Sequence, residues 1–171
     1  MKKILLISAT SKTNYDLSKE LKKLLVNDFS GIDVKIISLE DYELPLYTAK
    51  NSTLNDKKSL NNIRTITDYL VESDGVIFAG PEYNGSIPPI LVNTITWIST
   101  TTEYWRDAFL NKIGLIVTSS GGGGNKFLLT LKIQLEHLGM VVMPRNITIN
   151  NSSPLKKDSA KKILKQFVNL A

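Results

Sequence analysis

The sequence predicts an α/β fold, a parallel sheet wound with helices on both faces, and three observations predict it. Short apolar runs alternate along the whole chain with segments whose apolar residues recur at helical spacing. Five strand signals interleave with five helix signals, the pattern of a doubly wound parallel sheet. Three of the runs end in stretches dense in Gly, Pro, Ser, Thr and Asn, as the ligand loops at the carboxyl ends of such sheets do.

Residues 4–7 form a continuous apolar run ending in small polar residues, and behind them Leu17, Leu21, Leu24 and Leu25 repeat at helical spacing. This is the first strand and helix. Residues 34–37 are rich in β-branched side chains and bounded by Gly31 and Asp33, and Leu60, Ile63, Ile66, Thr67 and Leu70 carry the second helix over residues 54–70. The third unit is residues 76–79 with a helix over 91–98, and the fourth is 113–117 with a helix over 127–138. A short fifth strand at 140–143 and a last helix at 156–169 complete the series. Residues 39–53 and 99–107 show little periodicity, and loops of that length tend to carry function or mobility. No repeat, low-complexity tract or linker interrupts the 171 residues, so one domain is expected over 1–171.

Composition narrows the chemistry. The absence of cysteine excludes disulfides, thiolate catalysis and cysteine-ligated zinc, and a single histidine excludes a multi-histidine metal site. Whatever reaction occurs is therefore expected to rest on a cofactor. The net charge of +5 invites a nucleic-acid partner, but Lys19, Lys22, Lys23, Lys57, Lys58, Lys156, Lys157, Lys161, Lys162 and Lys165 are interleaved with apolar residues on helical segments. They read as solvated helix faces whose mild positive field suits an anionic ligand. The start Met1-Lys2-Lys3 imitates a signal peptide, yet its apolar run stops at Ser8, short of the roughly 7–15 residues required. No run approaches the roughly 18 apolar residues of a membrane span, so a cytoplasmic protein without membrane or nucleic-acid partner is expected.

The three loops hold the candidate site. Ser8-Ala9-Thr10-Ser11-Lys12-Thr13-Asn14 places hydroxyls and amides just before a helix, which suits a phosphate dianion. It is neither a Walker loop nor a G-x-G-x-x-G fingerprint, and a plain helix N-cap built from Thr13 or Asn14 is the alternative. Gly80-Pro81-Glu82-Tyr83-Asn84-Gly85-Ser86-Ile87-Pro88-Pro89 follows the third strand as a rigid turn able to present backbone N–H groups to a planar or anionic guest. Thr118-Ser119-Ser120-Gly121-Gly122-Gly123-Gly124-Asn125 follows the fourth, leaving room for a flat ring, or else is a flexible turn.

Residues 80–88 with Leu91, Asn93 and Trp97 resemble the P-E-Y-N-x-S-x-P…L-K-N-x-x-D-W signature of the NAD(P)H-dependent FMN reductases with a flavodoxin-like fold, which include quinone, chromate and azo-dye reductases. Lys112, the glycine run, Leu135, Leu138 and Gly139 follow the same pattern. The resemblance covers essentially the whole chain and implies a five-stranded sheet of order 2-1-3-4-5. Carried over, Pro81, Glu82, Tyr83, Asn84, Gly85 and Ser86 line one side of the flavin ring. Ser119, Ser120, Gly121, Gly122 and Gly123 line the other, and Ser8, Thr10, Ser11, Lys12, Thr13 and Asn14 take the phosphate. FMN as cofactor, NADPH or NADH as co-substrate and a small-molecule acceptor are implied, with hydride passing through the flavin and no catalytic side chain.

The first loop departs from the family. It is short, its only cation is Lys12, and it looks more like the phosphate loop of flavodoxins, with Ser11 where a glycine stands. Val92 and Thr96 replace charged signature residues. A flavodoxin-type electron carrier and a binding module that has lost FMN are the rival readings. His137 reads as a surface histidine and Trp97 as core or interface, while Tyr104 and Trp105 are expected to cover the pocket or lie at a dimer seam. Glu82 is an alternative anchor of the turn itself, and Arg106 a weak candidate for a nucleotide phosphate. The resemblance also implies a homodimer or dimer of dimers through the helices after strands three and four. The apolar residues Ile90, Leu91, Ile95, Trp97 and Ile98, on more than one face of one helix, point the same way.

Overall fold

The computed structural model describes all residues, Met1–Ala171. The elements run β1 (Lys2–Ser8), α1 (Thr13–Asp28), β2 (Ile32–Ser38), a 3-10 turn (Leu39–Asp41), α2 (Lys57–Glu72), β3 (Gly75–Ala79) and α3 (Pro89–Thr101). They continue with β4 (Ile113–Ser119), α4 (Asn125–His137), β5 (Val141–Val142), β6 (Ile147–Ile149) and α5 (Lys157–Leu170). All sheet pairings are parallel, and the strand order is β2-β1-β3-β4-β5. Both strand order and helix placement agree with the sequence expectation.

One element departs from it. The fifth sheet position is filled by two short strands, β5 beside Ile113 and Gly114 and β6 beside Val117, Thr118 and Ser119. Pro144 lies between them, and a residue without an N–H cannot donate to a ladder, so the edge strand breaks there and resumes. The residues of β6 are absent from the sequence reading because three residues flanked by polar ones carry too little periodicity.

Alternate residues of the central strands feed two cores. Ile4 and Leu6 of β1, Ile77 of β3 and Leu115 and Val117 of β4 pack with Leu17, Leu21 and Leu25 of α1 and Ile163, Leu164 and Phe167 of α5. Leu5, Ile7, Val76, Phe78 and Ile116 point to the other face and pack under α2, α3 and α4. The chain therefore leaves β1 toward one face and β3 toward the other. Their loops diverge at the carboxyl ends where the strand order reverses, the place at which sheets of this kind bind ligands.

The apolar excess of α3 is satisfied within the protomer. Trp97 is 1% exposed, donates its Nε1–H to the carbonyl of Pro45 at 2.7 Å and meets the ring of Tyr47 edge-on at 5.0 Å. Asn93 adds two bonds, donating to Pro45 O at 3.0 Å and accepting from Tyr47 N at 2.8 Å. The aperiodic loop after β2 thus covers the second face of α3, which withdraws this helix as evidence for a subunit seam. Lys112 closes α2 in a similar way. Its ammonium donates to Val71 O at 2.9 Å and Ser73 O at 2.7 Å, at the negative end of the helix dipole, while burial pushes its pKa below the ordinary lysine value.

Candidate functional site

The first loop is held at its base by the sheet and at Ser11, whose N–H donates to Glu40 Oε2 at 2.6 Å. Ala9 N bonds Ala79 O at 2.8 Å, continuing the ladder, and the buried Ser8 hydroxyl donates to Thr10 O at 2.7 Å. Helix α1 starts at Thr13, its N-cap is Lys12, and no side chain caps it. The N-cap alternative for Thr13 or Asn14 is thereby excluded. The amides of Thr13, Asn14 and Tyr15 have no acceptor in their own helix, as at every helix start, and the dipole makes that end attractive to an anion. Thr10 is buried and Thr13 exposed, and neither hydroxyl bonds within the protein.

Asn14 does something else. Only 1% exposed, it donates from its amide to Ser119 O at 2.9 Å and accepts from Ser119 N at 2.7 Å. It is a brace between the first and third loops, with one amide N–H and the carbonyl oxygen both committed to Ser119. Ser119 is correspondingly held through its backbone.

The second loop is a tight hairpin turn. Tyr83 and Ser86 exchange both backbone bonds, at 3.1 and 2.9 Å, and Asn84 and Gly85 have φ of 49° and 70°. Two successive positive φ values define a type I′ turn, which favours Asn-Gly. A Cβ on Gly85 would also sit 3.1 Å from Lys126 Cδ, so a cationic side chain of α4 lies along this turn. The sequence reading did not single out Lys126. Tyr83 is half exposed, Asn84 and Ser86 are exposed, and Pro81 is half-buried at the exit of β3.

Glu82 anchors the turn, one of the two roles the sequence allowed it. Its Oε2 accepts from Lys126 N at 3.0 Å and Phe127 N at 3.3 Å, capping α4, whose own N-cap Gly124 supplies no side chain. Its N–H donates to Ser120 Oγ at 2.6 Å. Glu82 and Ser120 therefore fasten the second loop to the third. In the third loop Ser120 N bonds Ile149 O and Asn150 Nδ2 bonds Gly122 O, both at 3.2 Å, so β6 and Asn150 support it from outside. Gly121 and Gly122 face open space, with no atom within 4 Å of where a Cβ would stand. Gly123 is equally exposed. Gly124 has φ of 67°, and a Cβ there would lie 2.6 Å from Thr118 Cγ2, so only glycine lets α4 start this close to β4.

The residues further along do not join these loops. Trp105 stacks on His137 at 5.3 Å and carries the Arg106 guanidinium at 4.2 Å. His137 is the last residue of the 13-residue α4 and the glycine loop precedes its first, about 18 Å away along the axis. Tyr104, Trp105 and Arg106 thus cannot cover the loops of their own chain.

A parallel sheet of this order, with three braced loops at its carboxyl end, defines a flavodoxin-like protein. The family follows from comparison: the model of the NADPH-dependent FMN reductase family matches residues 2–153, and the chain belongs to that family. An uncharacterized protein of Mycoplasma pneumoniae is 29% identical over 133 residues, 76% of this chain and 75% of that protein. The NADPH azoreductase of Bacillus sp. strain OY1-2 is 22% identical over 150 residues, 86% of this chain and 76% of the enzyme. Among solved structures, the flavoenzyme NAD(P)H:(acceptor) oxidoreductase FerB of Paracoccus denitrificans superposes with a TM-score of 0.78 at 22% identity, over 99% of this chain and 97% of that one, a likeness of fold.

FMN and a reduced nicotinamide nucleotide are the cofactor and co-substrate this family implies, and the loop residues fit FMN. An uncapped helix start flanked by two unbonded hydroxyls suits a phosphate. Open peptide planes at Gly121 and Gly122, in the loop that Ser120 fastens to the rigid turn, suit a flat ring.

Proposed function

We propose that the chain is an oxidoreductase that takes electrons from NADPH or NADH and passes them in pairs to a small-molecule acceptor such as a flavin or quinone, with FMN bound across the loops after β1, β3 and β4. The observation that supports this most is the bracing of those loops to one another by Asn14, Glu82 and Ser120, while the Thr10 and Thr13 hydroxyls and the first-turn amides of α1 keep no protein partner. Thr10, Thr13 and the first-turn amides of α1 hold the phosphate. Residues 81–86 and 119–123 hold the ring. Bound there, FMN would supply the redox chemistry, carrying electrons in pairs. The protein's part is to orient the ring against fixed backbone donors, which favour negative charge on it after reduction.

Purified protein that takes up FMN and oxidises NAD(P)H with a quinone is the expected result. Yellow protein inert toward NAD(P)H indicates an electron carrier, and protein that takes up no FMN indicates a module without it. Replacing Thr10 and Thr13 together by Ala removes two charge-assisted donors worth ~1.5–3 kcal/mol each, so FMN affinity falls at least tenfold. Riboflavin, without a phosphate, is expected to bind the variant and the parent alike. Unchanged FMN affinity would show that the phosphate is held elsewhere.

The same reading includes a homodimer, now seated on α4 rather than α3. Leu129 and Ile133, one turn apart on its outer face, are each 61% exposed, an arrangement suited to a self-complementary C2 contact. Light scattering at micromolar concentration should give twice the 19.0 kDa chain mass. The variant carrying Leu129→Glu and Ile133→Glu should give the monomer with unchanged stability. A parent monomer, or a variant that stays dimeric, removes α4 from the seam.

A further inference from the structure

The rim of the first loop already carries an anion. Glu40, in the 3-10 turn Leu39–Asp41, accepts the N–H of Ser11 through Oε2 at 2.6 Å. That distance is at the short end for a charge-assisted bond. The carboxylate is presented by a fixed turn, since the preceding Leu39 is 1% exposed in the core and Tyr42 N closes onto Leu39 O at 3.1 Å. Glu40 takes part in none of the six ion pairs of the molecule. Its charge is directed at the loop and answered there by an amide.

Ser11 lies in the loop to which the phosphate of FMN is assigned above, two residues before α1. One N–H cannot serve a carboxylate and a phosphate oxygen together, and two anions at one rim repel. We propose that Glu40 is a built-in competitor for the phosphate, a specificity-determining residue that weakens phosphorylated flavin relative to the dephosphorylated form and keeps FMN dissociable. The inference rests on the assignment of FMN to these loops. In quantitative form, the apparent Kd is the intrinsic Kd divided by the fraction of molecules in which Glu40 has released Ser11. A charge-assisted bond of ordinary strength holds that fraction to about a tenth or less.

The test is a pair of fluorescence titrations, FMN and riboflavin, against the parent and Glu40→Gln. Gln keeps the size and an acceptor oxygen but loses the charge, and the exposed site tolerates it. FMN is expected to bind E40Q about tenfold more tightly, while riboflavin affinity changes less than twofold. Inorganic phosphate should raise the melting temperature of E40Q more than that of the parent. Glu40→Ala, which cannot keep the bond at all, should move FMN in the same direction. Both flavins binding with an unchanged ratio in E40Q, or FMN binding more weakly, overturns the competition. Neither flavin binding to either protein overturns the assignment of FMN itself, a different and separately visible failure.

Discussion

Trp97→Ala is expected to destabilise the protein by about 3–5 kcal/mol, the ordinary range for deleting a buried large aromatic side chain. Three losses combine. A 1%-exposed indole leaves a cavity under α3, Pro45 O loses its Nε1–H donor, and Tyr47 loses its edge-on partner. The loop after β2 keeps the Asn93 bonds, the Asn62 bond to Glu43 O and the buried Leu54, so local release is expected around Pro45 and Tyr47, where Trp97 is the partner. Urea titration measures the destabilisation, and proteolysis within residues 42–56 under native conditions measures the release. Trp97→Phe keeps most of the packing but not the donor, and because Pro45 O still accepts from Asn93 at 3.0 Å, the loss expected is that of one hydrogen bond, about 0.5–1.5 kcal/mol. A loss below ~1 kcal/mol for Trp97→Ala would contradict its role as a core residue. A fall in oligomer mass at unchanged stability would return it to the subunit seam.

This tryptophan also shows what a sequence discloses and what it withholds. Its place on the apolar side of α3 is legible from spacing. What covers it is not, because the partner loop has no periodicity and its contact with α3 spans 52 positions between Pro45 and Trp97. The strand and helix positions were legible for the opposite reason, since apolar runs and helical repeats are local signals, whereas the sheet order was implied by the family resemblance alone. The broken edge strand escaped because β5 and β6 are two and three residues long.

The candidate site divides along the same line. The three loops stand out by composition and by following strands, and the structure brings them together. The division of labour within them is a matter of distant pairing. Asn14 and Ser119 are 105 positions apart, Glu82 and Lys126 are 44, and Glu40 and Ser11 are 29. Nothing in the composition of a loop says whether its carboxamide or carboxylate meets a ligand or another loop. In this chain Asn14 and Glu82 meet other loops, and the rim left to a ligand is mostly backbone and hydroxyl.

Asn14→Ala separates bracing from binding. The substitution leaves the N–H and C=O of Ser119 without their partners at a site where Asn14 is 1% exposed and Ser119 half-buried. Each unpaired group costs ~1–3 kcal/mol when water is excluded, and partial access at Ser119 reduces that, so a loss of about 2–4 kcal/mol is expected in urea titration. Asn14→Asp keeps the acceptor for Ser119 N but sets a carboxylate against Ser119 O, so it should recover little of that loss. Because the brace fixes the distance between the first and third loops, FMN and riboflavin are expected to weaken together, by a similar factor. The Thr10 and Thr13 variant weakens only FMN, and Glu40→Gln strengthens only FMN. The pattern over the two flavins thus assigns each residue its part without reference to turnover. An Asn14→Ala protein within ~0.5 kcal/mol of the parent, losing FMN alone, would make Asn14 a phosphate ligand after all and would place the bond to Ser119 second to it.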